Sequence, residues 1–310
     1  MLKLSDTFHR LKAPSTGRTV VQLTTGDATC YPLYYFIPSL SRDGRYLIYH
    51  RAGLGSESGQ DEVQLYRLDL TTGAAVQITD ASAPKTRWIP WCVESGQGVL
   101  DHRSVLNVAH DTVIYFDGNA VRQVNVGLDA PLEDILLFDL PEDRVAVGQN
   151  CVMPDGQWFV YIHHDRENFA EVYAENARGR YRSRGAALSA YHLDTGEHRD
   201  LVYINSPIHH VLPYGGDHVV FCHPTMENGM LLTDLRGGWY THMRTQDAQG
   251  GCVCHYVATQ RGLAYEVLGR SDAVWSGRYN PFTHERYEFQ LPDHFGYTHT
   301  GWDPEGRLWF

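Results

Sequence analysis

The chain has 310 residues, of which 43% are hydrophobic, enough for a large buried core. Its formal net charge of −11 argues against a nucleic-acid partner, since nucleic-acid-binding proteins present a basic surface. The six cysteines are too few for a disulfide framework, the first residues lack a signal-peptide pattern, and no apolar run reaches the roughly 20 residues of a membrane span. We therefore expect a cytoplasmic protein with reduced thiols and no membrane partner.

A turn followed by an apolar and aromatic strand recurs along the chain. The clearest copies lie at 42–49 and 154–161, weaker copies at 215–221, 260–265 and 304–309, and a degenerate copy at 95–100. A spacing of about 40–60 residues is typical of propeller blades. The repeat therefore predicts a β-propeller.

A hairpin with an Asp and a Gly at its tip follows several of these copies. The first copy covers residues 65–73 and 75–79, a second lies at 190–196, and a weaker one lies at 230–238. Glycine supplies the positive φ that such tight turns require. Four short antiparallel strands per repeat make a blade, so we expect an all-β fold and a single propeller domain over residues 1–310.

One segment interrupts the repeat, an insertion over about 165–187. It begins with a helical pattern at 166–176 and continues into an arginine-rich run at 178–184. Arg182 and Arg184 are the preferred carboxylate-binding residues of this run, because a guanidinium pairs bidentately with a carboxylate. A solvated basic loop is the alternative.

Histidine and cysteine are concentrated between residues 206 and 255. The clusters are 209–210, 221–223 and 252–255. On a regular strand Cys252 and Cys254 share one face and His255 has the other, which disfavours a single zinc site built from all three. We interpret the cysteines as buried packing residues.

The ordered series of these motifs resembles the oligogalacturonate lyases, a family of seven-bladed propeller enzymes. The motifs are the inserted helix at 168–173, Phe-Cys-His at 221–223, Cys-His-Tyr at 254–256, and Thr-His at 298–299 before a turn at 303–306. The resemblance implies β-elimination on oligogalacturonides or unsaturated digalacturonate, in the cytoplasm, with a manganese-type divalent cation. It also implies that C-terminal blades, and the remaining metal ligands, lie beyond Phe310.

The resemblance also implies roles for particular residues. His255 is the expected base and His299 the expected metal ligand, and the substrate-binding residues are His210, His223, Arg182, Arg184 and Tyr256. Histidine suits proton abstraction because its ordinary pKa lies near the working pH. For each of these histidines the alternative is a structural role on a blade strand.

Two other functions remain open from the sequence. Several pocket motifs depart from the family pattern, for example Tyr31-Pro32 and Gly229, which favours a lyase for another uronate glycan such as ulvan. The missing ligands favour a non-catalytic, TolB-like propeller that binds a sugar or a protein. In either enzyme reading the partner is an acidic oligosaccharide.

Overall fold

The structure is a computed structural model in two compact units, Met1–Glu142 and Asp143–Phe310. It describes residues 2–53, 62–85, 96–100, 103–127, 132–168, 185–205, 207–222, 230–243, 252–268, 275–291, 301–302 and 308–309. Of these, 222, 252–255, 266–268, 301–302 and 308–309 are described by their backbone alone. The expectation of one domain over the whole chain stays a prediction.

The first unit is built from eleven described strands. They are β1 His9–Lys12, β2 Thr19–Gln22, β3 Thr29–Pro32, β4 Tyr46–Ala52, β5 Glu62–Asp69, β6 Ala75–Gln77, β7 Gln97–Gly98, β8 Val105–Asn107, β9 Thr112–Asp117, β10 Ala120–Asn125 and β11 Asp134–Asp139. β1 and β2 form a hairpin, β3 to β6 form an antiparallel sheet that β7 joins in parallel at β5, and β8 to β11 form an antiparallel sheet.

The second unit is built from fifteen described strands. They are β12 Arg144–Ala146, β13 Cys151–Val152, β14 Trp158–Asp165, β15 Ala186–His192, β16 His198–Ile204, β17 His210–Tyr214, β18 His218–Cys222, β19 Met230–Asp234, β20 Thr241–His242, β21 Cys252–Thr259, β22 Gly262–Leu268, β23 Trp275–Tyr279, β24 Arg286–Gln290, β25 Gly301–Trp302 and β26 Leu308–Trp309. Their sheets are β12 to β16, β17 to β20, β21 to β24 and β25 with β26.

The hairpin that joins β5 to β6 explains why the repeated Asp and Gly recur. The carboxylate of Asp69 accepts hydrogen bonds from the backbone N–H and the hydroxyl of Thr71, at 2.8 and 2.6 Å. Gly73 then turns the chain with φ +79°, which a side chain would strain. Arg45 donates to the same carboxylate, at 2.6 and 3.0 Å. The predicted hairpin is confirmed.

The described part of the chain contains one helical turn, at 166–168, and is otherwise made of strands and turns. The all-β prediction is therefore confirmed. Most of the predicted helix, together with Arg182 and Arg184, lies outside the described residues.

An irregularity in the second unit decides what surrounds His210. Ala146 on β12 pairs with His163, and Cys151 on β13 pairs with Val160. Residues 147–150 therefore stand opposite only 161–162, so the chain bulges between the two strands. This segment, the 147–150 bulge, reaches the neighbouring sheet: Gln149 forms a parallel bridge with His210, the first residue of β17.

Candidate functional site

Two of the expected site residues have described side chains, and they come from adjacent sheets of the second unit. His210 begins β17 and retains 8% exposure, and Tyr256 lies in β21 with none. The hydroxyl of Tyr256 donates towards the carbonyl oxygens of His210 and Val220, at 3.4 and 3.5 Å. The hydroxyl of Tyr256 thus links β21 to the backbone of β17 at His210. A direct contact of Tyr256 with substrate stays a prediction.

The backbone of His255 lies in an irregular part of β21. Cys254 pairs with Glu266 and Val257 with Ala264, so one extra residue is accommodated at His255–Tyr256. Such a β-bulge re-aims the side chains beside it, and bulges are enriched next to active sites. The regular alternation that separated His255 from the cysteines therefore does not continue beyond Cys254.

The other expected residues lie outside the described side chains. His223, His299, Arg182 and Arg184 are not described at all. His223 does follow Cys222, and Cys222 is the partner of His210 in the β17–β18 ladder. Their expected roles stay predictions.

The 147–150 bulge brings a residue to His210 that sequence reasoning missed. The backbone N–H of Gln149 donates to the carbonyl of His209 at 2.7 Å, and the N–H of Val211 donates to the carbonyl of Gln149 at 3.1 Å. Bridge partners place their side chains on one face, so the side chain of Gln149 neighbours that of His210. Gln149 has no exposed surface. Only the pairing of distant strands identifies it, and no motif in the sequence signals that pairing.

Four histidines are buried in this region of the second unit: His163, His164, His209 and His210. Burial, together with the neighbouring imidazoles of His209 and His163, lowers the pKa of His164 to about 3. Burial and the charge of Arg144 lower the pKa of His163 to about 4. Both imidazoles are therefore neutral at neutral pH.

A chain of hydrogen bonds fixes the tautomer of His163. Ser189 donates its hydroxyl hydrogen to Asp200 at 2.9 Å, and Nε2 of His163 lies 3.0 Å from the same hydroxyl oxygen. Because the serine hydrogen is already used, Nε2 of the neutral imidazole carries the proton and donates. Sequence reasoning did not single out this chain of residues.

Metal-ligand geometry is not found in the described part of the chain. Among those residues, no three His, Cys, Asp or Glu side chains converge on a position for a metal ion. The described Cys151 is buried, which raises the pKa of its thiol and favours a packing role. The described residues alone therefore do not fit a divalent cation.

In the described residues no helix is long and apolar enough to cross a membrane.

The fold belongs to the β-propeller class, which confirms the prediction; the number of blades stays a prediction. An oligogalacturonate lyase solved in complex with manganese matches 97% of this chain and 76% of its own, with a TM-score of 0.77 at 23% identity. The model of a protein family described as "Oligogalacturonate lyase" matches residues 2–269 of the chain. The chain belongs to the oligogalacturonate lyase family.

Two curated relatives agree with this membership. The oligogalacturonate lyase of Dickeya dadantii is 28% identical over 232 residues, 71% of this chain and 52% of the relative. The oligogalacturonide lyase of Pectobacterium atrosepticum is 27% identical over 271 residues, 82% of this chain and 61% of the relative. The chain thus spans about half to three fifths of the length of these relatives.

Proposed function

We propose that the chain belongs to a metal-assisted lyase that cleaves oligogalacturonate or unsaturated digalacturonate by β-elimination. The observation that carries the proposal is the family match, which runs over residues 2–269 and so includes His210, His223, His255 and Tyr256. We further propose that the enzyme works in the cytoplasm on this acidic oligosaccharide.

The reaction assigns one step to a residue of this chain. The proton on C5 of the uronate is removed, the C4–C5 double bond forms, and the bond from C4 to the departing O4 breaks as that oxygen takes up a proton. His255 is the proposed base, because an imidazole can be neutral at working pH and accept that proton. The irregular backbone at His255 supports the assignment, since bulges turn side chains out of the regular ladder.

The substrate contacts are proposed for residues around this base. His210 and His223 would bind sugar hydroxyls or the carboxylate, with Tyr256 supporting the backbone of His210. Arg182 and Arg184 are proposed to pair with uronate carboxylates, because guanidinium and carboxylate groups match in geometry.

A divalent cation of the manganese type completes the proposal, supported by the related lyase solved with manganese. When bound, the cation would neutralise the uronate carboxylate and make the neighbouring proton more acidic. The described residues do not form such a site, so His299 is the one ligand proposed from this chain.

The test is the ultraviolet absorbance of the α,β-unsaturated carboxylate, the chromophore that these substrates lose or gain. We expect the chain, supplied with Mn²⁺, to change the absorbance of unsaturated digalacturonate or trigalacturonate. We expect His255→Ala to lower the rate by roughly 100-fold or more, as for loss of a general base. The exposed His242, in the same unit, serves as the control: His242→Ala should keep the rate.

Three results would contradict the proposal. Activity on ulvan oligosaccharides alone would assign another substrate. Binding of uronates without any absorbance change, with and without Mn²⁺, would indicate a binding propeller. A His255→Ala variant with full activity would exclude His255 as the base.

A further inference from the structure

Two glutamines are buried in the described residues, and their surroundings differ. Gln64 is 4% exposed, and both ends of its amide are used. Its Nε2 donates to the carbonyl of Ala81 at 2.7 Å, and its Oε1 accepts from the N–H of Ala81 at 3.0 Å and from the hydroxyl of Thr79 at 2.8 Å. Gln64 therefore illustrates a buried glutamine whose role is structural.

Gln149 is buried more completely and has none of these contacts. Neither Oε1 nor Nε2 has a hydrogen-bond partner among the described residues, and the side chain has no exposed surface. The next residue, Asn150, does use its amide, since its Oδ1 accepts the N–H of Ile162 at 3.0 Å. Leaving a buried polar group without a partner costs about 1–3 kcal/mol. A buried amide that is retained despite this energetic cost indicates that it binds a group that is not part of the chain.

Main-chain hydrogen bonds fix the position of the Gln149 Cα beside His210. Both its N–H and its carbonyl are bonded to the strand on either side of His210. Gly148 has φ +75°, and a Cβ there would overlap the carbonyl oxygen of His209. The 147–150 bulge therefore cannot change its register against β17 without breaking these bonds.

The chemistry of the surroundings selects the kind of ligand. An amide offers one donor and one acceptor side, which is the same pair of functions that a hydroxyl presents. The nearby His164 is neutral because its pKa is lowered, and no three described ligands converge for a metal ion. His210, beside Gln149, retains 8% exposure, whereas Gln149 has none.

We propose that Gln149 is a further substrate-binding residue, which hydrogen-bonds a sugar hydroxyl of the uronate that lies against His210. The identity of this sugar rests on the proposed function, whereas the binding role of the amide rests on its burial and on a donor and an acceptor that no described residue uses. For this bond to form, rotation about the side-chain bonds of Gln149 would bring its amide to the exposed side of His210.

The experiment compares Gln149→Met with Gln64→Met in the full 310-residue chain. Methionine keeps the approximate volume of glutamine and removes both hydrogen-bonding groups. The melting temperature is measured without ligand. Binding is measured by NMR titration with the galacturonate monomer, which has no glycosidic bond to eliminate, so binding is separated from turnover.

We expect Gln149→Met to keep or raise the melting temperature and to weaken galacturonate binding roughly tenfold to hundredfold, the effect of losing one or two hydrogen bonds to a ligand. We expect Gln64→Met to lower the melting temperature and to keep the binding constant. A fall in melting temperature for Gln149→Met as large as that for Gln64→Met overturns the inference, whatever happens to binding, because it assigns a structural role.

Unchanged binding in Gln149→Met also overturns it, as does an unsubstituted chain that does not bind galacturonate. A chain that binds galacturonate through Gln149 but leaves digalacturonate uncleaved contradicts the lyase proposal alone. The two failures are therefore distinguishable.

Discussion

The buried histidines of the second unit predict a steep loss of stability on acidification. The pKa values of His163 and His164 are lowered from 6.5 to about 4 and about 3, so the unfolded chain binds protons at a higher pH than the folded chain. The two neutral imidazoles contribute fully to the free energy of unfolding above pH 6.5. This contribution is lost as the pH falls towards the folded pKa values. One pKa unit corresponds to about 1.4 kcal/mol. The proton that the unfolded chain binds at each histidine therefore lowers the free energy of unfolding by about 2 kcal/mol between pH 6.5 and pH 5.

The substitution His164→Gln isolates half of this effect. His164 hydrogen-bonds the backbone of Ile208, and a glutamine side chain can donate in its place without titrating. Urea unfolding, followed by circular dichroism at pH 7, 6 and 5, gives the free energy of unfolding at each pH. The loss between pH 7 and pH 5 should shrink by about 2 kcal/mol in His164→Gln.

The exposed His242 provides the control, since His242→Gln should leave the pH dependence unchanged. A loss between pH 7 and pH 5 that is the same in His164→Gln and in the unsubstituted chain would refute the reasoning. It would mean that His164 binds its proton equally well in the folded and unfolded states.

Two further predictions concern turns and bulges. Gly148→Ala should lower the free energy of unfolding by more than about 3 kcal/mol, because it combines a strained positive φ with overlap on the carbonyl of His209. Gly215→Ala, where the added methyl group meets open space, should lower it by only about 1–2 kcal/mol. Chemical denaturation of both variants measures the difference, and equal costs would contradict the predicted overlap. Asp69→Asn should cost about 1–3 kcal/mol from pH 5 to pH 8, through the bonds to Thr71 and Arg45. The pKa of Asp69 is lowered chiefly by Arg45, so the difference in unfolding free energy should narrow below about pH 4, where the unfolded carboxyl protonates; a difference that persists there would contradict this account.

The sequence predicts the strands well because their signals are local. The turns at Gly44 and Gly156 have the expected positive φ, and β4 and β14 begin two residues after them. The hairpins closed by Gly73 and Gly196 are observed as well. These elements depend on a few residues that are adjacent in the sequence, so a local pattern is enough to predict them.

The arrangement around His210 is predicted only in part. The histidine itself is visible in a motif, but Gln149 reaches it through a bridge between distant parts of the chain, and His164 reaches the nearby Ile208 and His209 in the same way. The bulge at His255 has the same origin, because the extra residue is defined only against its partner strand β22. Register between strands depends on packing over the whole sheet, so local patterns do not determine it.

The contact between the 147–150 bulge and β17 has a consequence for folding. It joins two sheets through main-chain hydrogen bonds, which do not depend on any side chain of the bridge. Opening one sheet there would expose buried N–H and carbonyl groups of the other, so the two sheets should open together. The amide protons of Gln149 and Val211 should then exchange with solvent at a common, slow rate, as members of one cooperative unit.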